Sequence, residues 1–557
     1  MRRFVIGVAC GAGFTACAGD DGSADGSGST SRPTDTGTTL TDGTSNGVDS
    51  SASGQPTGRD TSTGPADGTA TTDDTIFDVG TMPDAGVDAP SCTVQRDGAG
   101  VGTCRQTAPP DAFEPDVQWE WNGGGGPLTQ AVSTPLVANL TDDDGNGTID
   151  LCDTPDVVVV AFSDFTLIGQ IVVLSGDDGT EHFTIAEPVS ATVTPALGDI
   201  DHDGIPEIVT TTNTGQVVAF EHTGALKWMS PTPAGIVDFA GPALADLDGD
   251  GNVEIMVGGG VYDEAGISLW NNGTDGGNGV GSLVTSADLD GDGDQEVIHG
   301  AVAFHHDGSP YYDTGLQPGV PHVANLDAEP GPEILVMNAD GMNLIDADGT
   351  VLWSGLTPTG DPTSIWTTWY KPGTVHDFDG DGVAEFATSS GNTYATYEVS
   401  ALMPTIIWQS PVLDLSGSAG GTAFDFDGDS LAEAMYADET QLFVYDPNGN
   451  PLLTAPRQSG TGLEYPVVAD IDNDGSAEIV VVSNFQTIGG SPAVQAIRDI
   501  EDRWIQSRRI WNQHTYHVSN VREDGTIPTV ETPSWTQLNT FRTNAQIEGG
   551  GICRPAG

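Results

Sequence analysis

From about residue 112 onward, short apolar runs alternate with acidic, glycine-bearing turns, and the alternation repeats along the chain. The unit is plainest in Thr194-Pro195-Ala196-Leu197-Gly198, then Asp199-Ile200-Asp201-His202-Asp203-Gly204-Ile205-Pro206-Glu207, then Ile208-Val209. Related loops begin at Asp142, Asp246, Asp288, Asn325, Asp377, Asp425 and Asp470, at steps of 57, 47, 42, 37, 52, 48 and 45 residues. Such steps suit a four-stranded sheet with its turns. One run precedes each acidic loop, one follows it, and a hairpin supplies two more. Asp307-Gly308, Asp348-Gly349 and Asn448-Gly449 sit where those hairpins turn. Trp228, Trp270, Trp353 and Trp408 fall at matching places in the last strand, where a large ring packs between neighbouring sheets. Val117-Gln118-Trp119-Glu120-Trp121 reads as such a last strand without its three predecessors, and so as the piece that completes the final sheet. The predicted fold is all-β: a β-propeller of four-stranded blades with a short C-terminal extension. Eight loops predict eight blades, with a seven-bladed ring and one outlying repeat as the alternative.

The loops carry the candidate chemistry. Carboxylates at alternate positions of a tight turn converge on one point, and glycine permits the turn; calcium, which takes six to eight oxygens at about 2.3 to 2.6 Å, suits such a site better than magnesium. Five loops have the full set: Asp199, Asp201, Asp203 and Glu207; Asp246, Asp248, Asp250 and Glu254; Asp288, Asp290, Asp292 and Glu296; Asp377, Asp379, Asp381 and Glu385; Asp470, Asp472, Asp474 and Glu478. Asp425, Asp427, Asp429 and Glu433 have Ser430 in place of glycine, and Asn325, Asp327, Glu329 and Glu333 have Pro330, which makes that loop the weakest. The first is longer: Asp142, Asp144, Asn146, Asp150 and Asp153 match a twelve-residue EF-hand loop with Asp in place of the terminal Glu. Turn preference explains Asp and Gly between strands. It does not explain a carboxylate three residues after the glycine position in all eight loops. Up to eight calcium ions are therefore expected.

These repeats resemble the FG-GAP or VCBS-type repeats of integrin-α-like β-propellers, over about residues 115 to 510. The resemblance implies calcium in the loop between the first two strands of a blade, on the face away from the usual ligand surface. The integrin-like ring has seven repeats, and the Phe-Gly and Gly-Ala-Pro pairs are mostly replaced here. Ligand specificity therefore does not carry over.

Charge and composition narrow the partners. With 16 Lys plus Arg against 81 Asp plus Glu, the formal net charge is -65, which argues against nucleic acid. Arg2, Arg3 and the apolar stretch to Phe14 read as an export signal. Phe14-Thr15-Ala16-Cys17 resembles a bacterial lipobox with Phe in place of the usual Leu, so Cys17 is the expected lipidation site and the only link to a membrane. Residues 18 to 90, almost all Gly, Ser, Thr, Asp, Ala and Pro, are too polar to bury a core and read as a disordered linker. The expected organisation is 1–17 signal, 18–90 linker, 91–111 cysteine-containing lead-in, 112–510 propeller and 511–557 extension. Cys92, Cys104, Cys152 and Cys553 suit disulfides in an exported chain. Three pairings are open; the local Cys92 with Cys104 leaves Cys152 with Cys553.

No Gly-x-Ser-x-Gly in the folded region, His-Glu-x-x-His, phosphate loop or dinucleotide fingerprint is present. The expected protein is a monomeric, non-enzymatic surface module for adhesion, recognition or scaffolding, with a protein or glycan ligand. The alternatives are a secreted propeller enzyme, quinoprotein-like or polysaccharide-degrading, and a passive envelope protein. Arg508-Arg509-Ile510-Trp511-Asn512-Gln513-His514-Thr515-Tyr516-His517 breaks the repeat and is expected to pack against the ring rather than to hold a metal or an acid–base pair.

Overall fold

The structure is a computed structural model that describes residues 92–94, 101–163, 166–235, 238–273, 283–327, 329–361, 371–400, 402–416, 418–484 and 491–555. The expected signal, Cys17 and the 18–90 linker lie outside the described residues. Among the described residues, helix is limited to two three-residue 3-10 turns, and eight antiparallel sheets follow one another along the chain. Sheet 1 has six strands within 130–190; sheets 2 to 7, each four-stranded, span 196–229, 243–271, 285–313, 319–356, 374–411 and 421–456. Sheet 8 takes three strands from 467–499 and its outermost from Pro115–Trp121, which pairs antiparallel with Val494–Asp499. The orphan strand predicted from sequence thus completes the last sheet. The molecule is all-β and built from propeller-like blades.

Burial follows strand order within each sheet. Second strands such as Glu207–Thr211, Glu385–Ser389 and Glu478–Val482 are buried along their whole length, covered by neighbouring sheets on both faces, which is why their apolar runs hardly alternate. Outer strands such as Leu226–Met229 and Ser268–Asn271 are mostly half-exposed or exposed. Each outer strand also carries a β-bulge at the same place, an extra residue just before the one paired across. In sheet 2, Ala219 pairs with Trp228 and Phe220 with Leu226, leaving Lys227 bulged. The same register shift leaves His182, Leu269, Tyr311, Leu352, Ile407, Leu452 and Gln118 bulged in sheets 1 and 3 to 8.

Large rings after the bulge lock neighbouring sheets together. The hairpin glycines Gly266, Gly308 and Gly449 hold positive φ, and a β-carbon on them would lie 2.4, 2.8 and 2.6 Å from the rings of Trp228, Trp270 and Trp408 of the preceding sheet. Only glycine fits there. Trp228 and Trp270 also donate their indole N–H to Glu264 and His306 carbonyls, both at 2.8 Å. Trp119 of sheet 8 repeats this contact on sheet 1: its ring lies 2.6 Å from where a β-carbon of Gly179 would be, and its N–H donates to the Gly176 carbonyl at 2.6 Å.

The C-terminal segment threads along the innermost strands. Trp511 bridges Val137 of sheet 1, Asn512 accepts from Leu197 of sheet 2, and the Gln513 side chain accepts from Leu244 of sheet 3. Thr515 donates to Val284 beside sheet 4, Asn539 accepts from Asn325 beside sheet 5, and Phe541 bridges Val375 of sheet 6. Arg542 accepts from Thr422 of sheet 7, and Asn544 donates to Val468 of sheet 8. Trp511, Arg508, Arg509 and Arg542 are fully buried. The expected packing of this tail is what the structure has, and it reaches all eight sheets.

The disulfides correct the local pairing. Cys92 bonds Cys152, and Cys104 bonds Cys553. The Cys92 carbonyl accepts from Leu151 in the first acidic loop, and Gly102–Thr103 runs parallel to Cys553 and Arg554 as part of a three-stranded sheet, so each cysteine is delivered to a distant partner rather than to its neighbour in sequence. Two disulfides mark a protein that matures in an oxidising compartment.

Candidate cation loops

The acidic loops connect first to second strands, and one hydrogen-bond scheme shapes them. The first carboxylate accepts the N–H of the sixth residue: Asp199 from Gly204 at 3.0 Å, Asp246 from Gly251 at 2.8 Å, Asp288 from Gly293 at 3.2 Å, Asp377 from Gly382 at 2.9 Å, and Asp470 from Gly475 at 3.2 Å. These glycines have φ between 88 and 102°, the left-handed region that favours glycine. Asp425 makes the same bond to Ser430, which sits at φ 74° and bears the strain that glycine avoids. Asp203, Asp250, Asp292, Asp381, Asp429 and Asp474 each accept from the N–H two residues on, at 2.8 to 3.0 Å.

The closing Glu opens the second strand and is buried there. One oxygen, Oε2, accepts the N–H of the loop's second residue: Ile200 to Glu207, Leu247 to Glu254, Leu289 to Glu296, Leu326 to Glu333, Phe378 to Glu385, Phe426 to Glu433 and Ile471 to Glu478, all at 2.7 to 3.0 Å. That bond fixes the carboxylate and leaves Oε1 over. Carboxylate oxygens of Asp377, Asp379, Asp381 and Glu385 lie within 4.8 Å of one another, as do those of Asp142, Asp144 and Asp153.

Electrostatics make the clusters costly on their own. Burial, with the neighbouring aspartates adding to it, pushes Glu385 up to about 8 and Glu254 to about 7, and raises Asp470 and Glu478 well above the usual carboxylate range. Asp246 Oδ1, Glu385 Oε1, Asp470 Oδ1 and Glu478 Oε1 are buried with no hydrogen-bond partner. An unpaired buried acceptor costs about 1–3 kcal/mol, more when charged. All-oxygen donors, anionic and converging, fit a hard divalent cation.

The structure adds residues that motif spacing missed. In sheet 1 the place of the closing Glu is held by Asp156, whose Oδ2 accepts from Leu140 at 2.8 Å and which pairs with Ala138 as Glu207 pairs with Gly198. Burial pushes Asp156 up to about 8. Asp153 instead braces the loop, accepting from the N–H groups of Asp143, Asp144 and Asp150. Asn325 donates to the Glu329 carbonyl and so turns its amide N–H inward on its own loop. Polar groups from the outer half of the sheet reach three closing or flanking carboxylates: Lys227 contacts Glu207, His305 Nδ1 lies 3.0 Å from Glu296 Oε1, and Gln118 donates to Asp472 Oδ2 at 2.7 Å. His182 Nε2 stands 3.4 Å from Asp156 Oδ1. His514 and His517 are committed elsewhere, His514 Nε2 to the Leu463 carbonyl and His517 Nε2 to Glu531.

Residues 199–257 and 425–481 match the model of the FG-GAP-like repeat. The chain carries FG-GAP-like repeats. No curated protein matches its sequence. Among solved structures it is similar to the V. cholerae biofilm matrix protein Bap1, at 21% identity and a TM-score of 0.64, over 80% of this chain and 100% of that one. It also aligns with the Bacillus licheniformis rhamnogalacturonan lyase PL11, at 20% identity and a TM-score of 0.45, over 83% of each chain. The likeness to Bap1 is one of fold, and the two matched stretches hold the acidic loops that begin at Asp199, Asp246, Asp425 and Asp470.

Proposed function

We propose that the chain is an exported, calcium-loaded β-propeller of eight blades whose work is adhesion or scaffolding at the cell surface rather than catalysis. The observation that carries the calcium reading is the set of buried, unpartnered oxygens on Asp246, Glu385, Asp470 and Glu478, each aligned by backbone bonds that use only its other oxygen. A divalent ion satisfies several such oxygens at once and stabilises the folded state by mass action. Ring closure is supported by the completion of sheet 8 with Pro115–Trp121 and by Trp119 packing on sheet 1. A binding role with a protein or glycan ligand is in keeping with a buried tail that bonds in or beside the first strand of each of the eight sheets. The similarity in fold to a biofilm matrix protein is in keeping with an extracellular role. Calorimetry of the purified ectodomain tests the ion: the expected result is uptake of several calcium ions and a lower melting temperature in chelator. No uptake together with an unmoved melting temperature overturns the reading. A glycan and protein binding array then separates adhesion, which returns a ligand, from passive scaffolding.

A further inference from the structure

The acidic loops are not equivalent, and the difference comes from the bulge in the outer strand of the same sheet. A bulge re-aims its extra side chain. In sheet 2 that side chain is Lys227, and its ammonium contacts Asp201, lies 3.1 Å from Glu207 Oε1, and is held from outside by Glu221 at 3.1 and 3.2 Å. Glu207 Oε1 is the equivalent of the oxygen left unpartnered on Glu385 and Glu478, the one that faces the loop interior. Lys227 therefore brings its own positive charge into the loop and donates to Asp201 and Glu207, two of the carboxylates an ion would take. Sheets 3, 5, 6 and 7 have Leu269, Leu352, Ile407 and Leu452 at the bulge, which bring no donor to their loops.

We propose that the bulge residue sets which loops take a metal, and that Lys227 makes Asp199–Glu207 a permanently self-neutralised loop that binds none. The inference rests on the calcium reading of the other loops. Its chemistry is substitution of one cation by another: a second positive charge close to a lysine ammonium is repelled, and two of the four carboxylates that would offset it, Asp201 and Glu207, are already engaged.

The test counts ions on the full ectodomain by native mass spectrometry at fixed free calcium, with equilibrium dialysis as a check. Lys227→Leu, which installs the residue found at the bulge in sheets 3, 5 and 7, is expected to bind one more calcium ion than wild type. Leu269→Lys, which places an ammonium beside Asp246–Glu254, is expected to bind one fewer. The second variant keeps the inference testable where the first fails to fold. In the wild-type background Asp203→Asn should leave the count unchanged, whereas Asp250→Asn should lower it. Unchanged counts in both bulge variants, or loss of an ion in Asp203→Asn, overturn the inference while leaving the calcium reading intact. Wild type that takes up no ion, with Lys227→Leu also taking up none, overturns both.

Discussion

Removing calcium should invert the way stability responds to pH. Glu385 is fully buried, and without a counter-ion its carboxyl titrates near 8 in the folded chain against 4.5 unfolded, because burial and the charges of Asp377, Asp379 and Asp381 oppose ionisation. Between those values the folded state holds a proton that the unfolded state has released, so stability falls as pH rises. At about 1.4 kcal/mol per pH unit the loss reaches up to about 5 kcal/mol for this residue by pH 8. Glu254, raised to about 7, acts in the same direction across its own window. A domain is typically stable by only about 5–15 kcal/mol, so the chelated protein should be marginal in mild alkali. The assay is thermal unfolding from about pH 5 to about pH 8, with chelator and with millimolar calcium. The melting temperature should drop steadily with pH in chelator and stay level or rise in calcium, which holds the carboxylates charged. Glu385→Gln should flatten part of the slope in chelator, since an amide does not titrate. A melting temperature that is constant or rises with pH in chelator refutes the reasoning.

Other consequences are open to simple substitutions. Gly449→Ala puts a methyl 2.6 Å from the Trp408 ring at a residue with φ 79°, and should cost about 1–3 kcal/mol in denaturant titrations, read as a lower midpoint with little change of slope. Trp511→Ala empties a fully buried site against sheet 1 and should cost about 3–5 kcal/mol, with the near-ultraviolet circular dichroism of the tail lost before the far-ultraviolet strand signal.

The loop carboxylates were legible because backbone geometry fixes them locally: the sixth residue must turn left-handed and the closing Glu must start a strand, so both show in spacing. Features made by register were not legible. Lys227 and Glu207 stand 20 positions apart in sequence, and the bulge brings them together. Asp156 took the closing position because the first loop is longer, and counting from Asp142 stopped at Asp153, a residue that serves the loop's backbone. The disulfides eluded spacing because both join the lead-in to segments placed by tertiary structure, 60 and 449 residues away. The tail signalled itself by breaking the repeat, but the identity of each sheet it touches is decided by how the strands are arranged around it.

Sheet 8 draws its outer strand from the start of the folded region and the rest from near its end. Until those late residues exist, Pro115–Trp121 has no edge to join and the last sheet stays incomplete. Completion of that sheet therefore waits for residues near the end of the folded region. A product cut short before Val494 would present raw strand edges to proteases and to its own kind, so the topology itself sorts finished molecules from aborted ones.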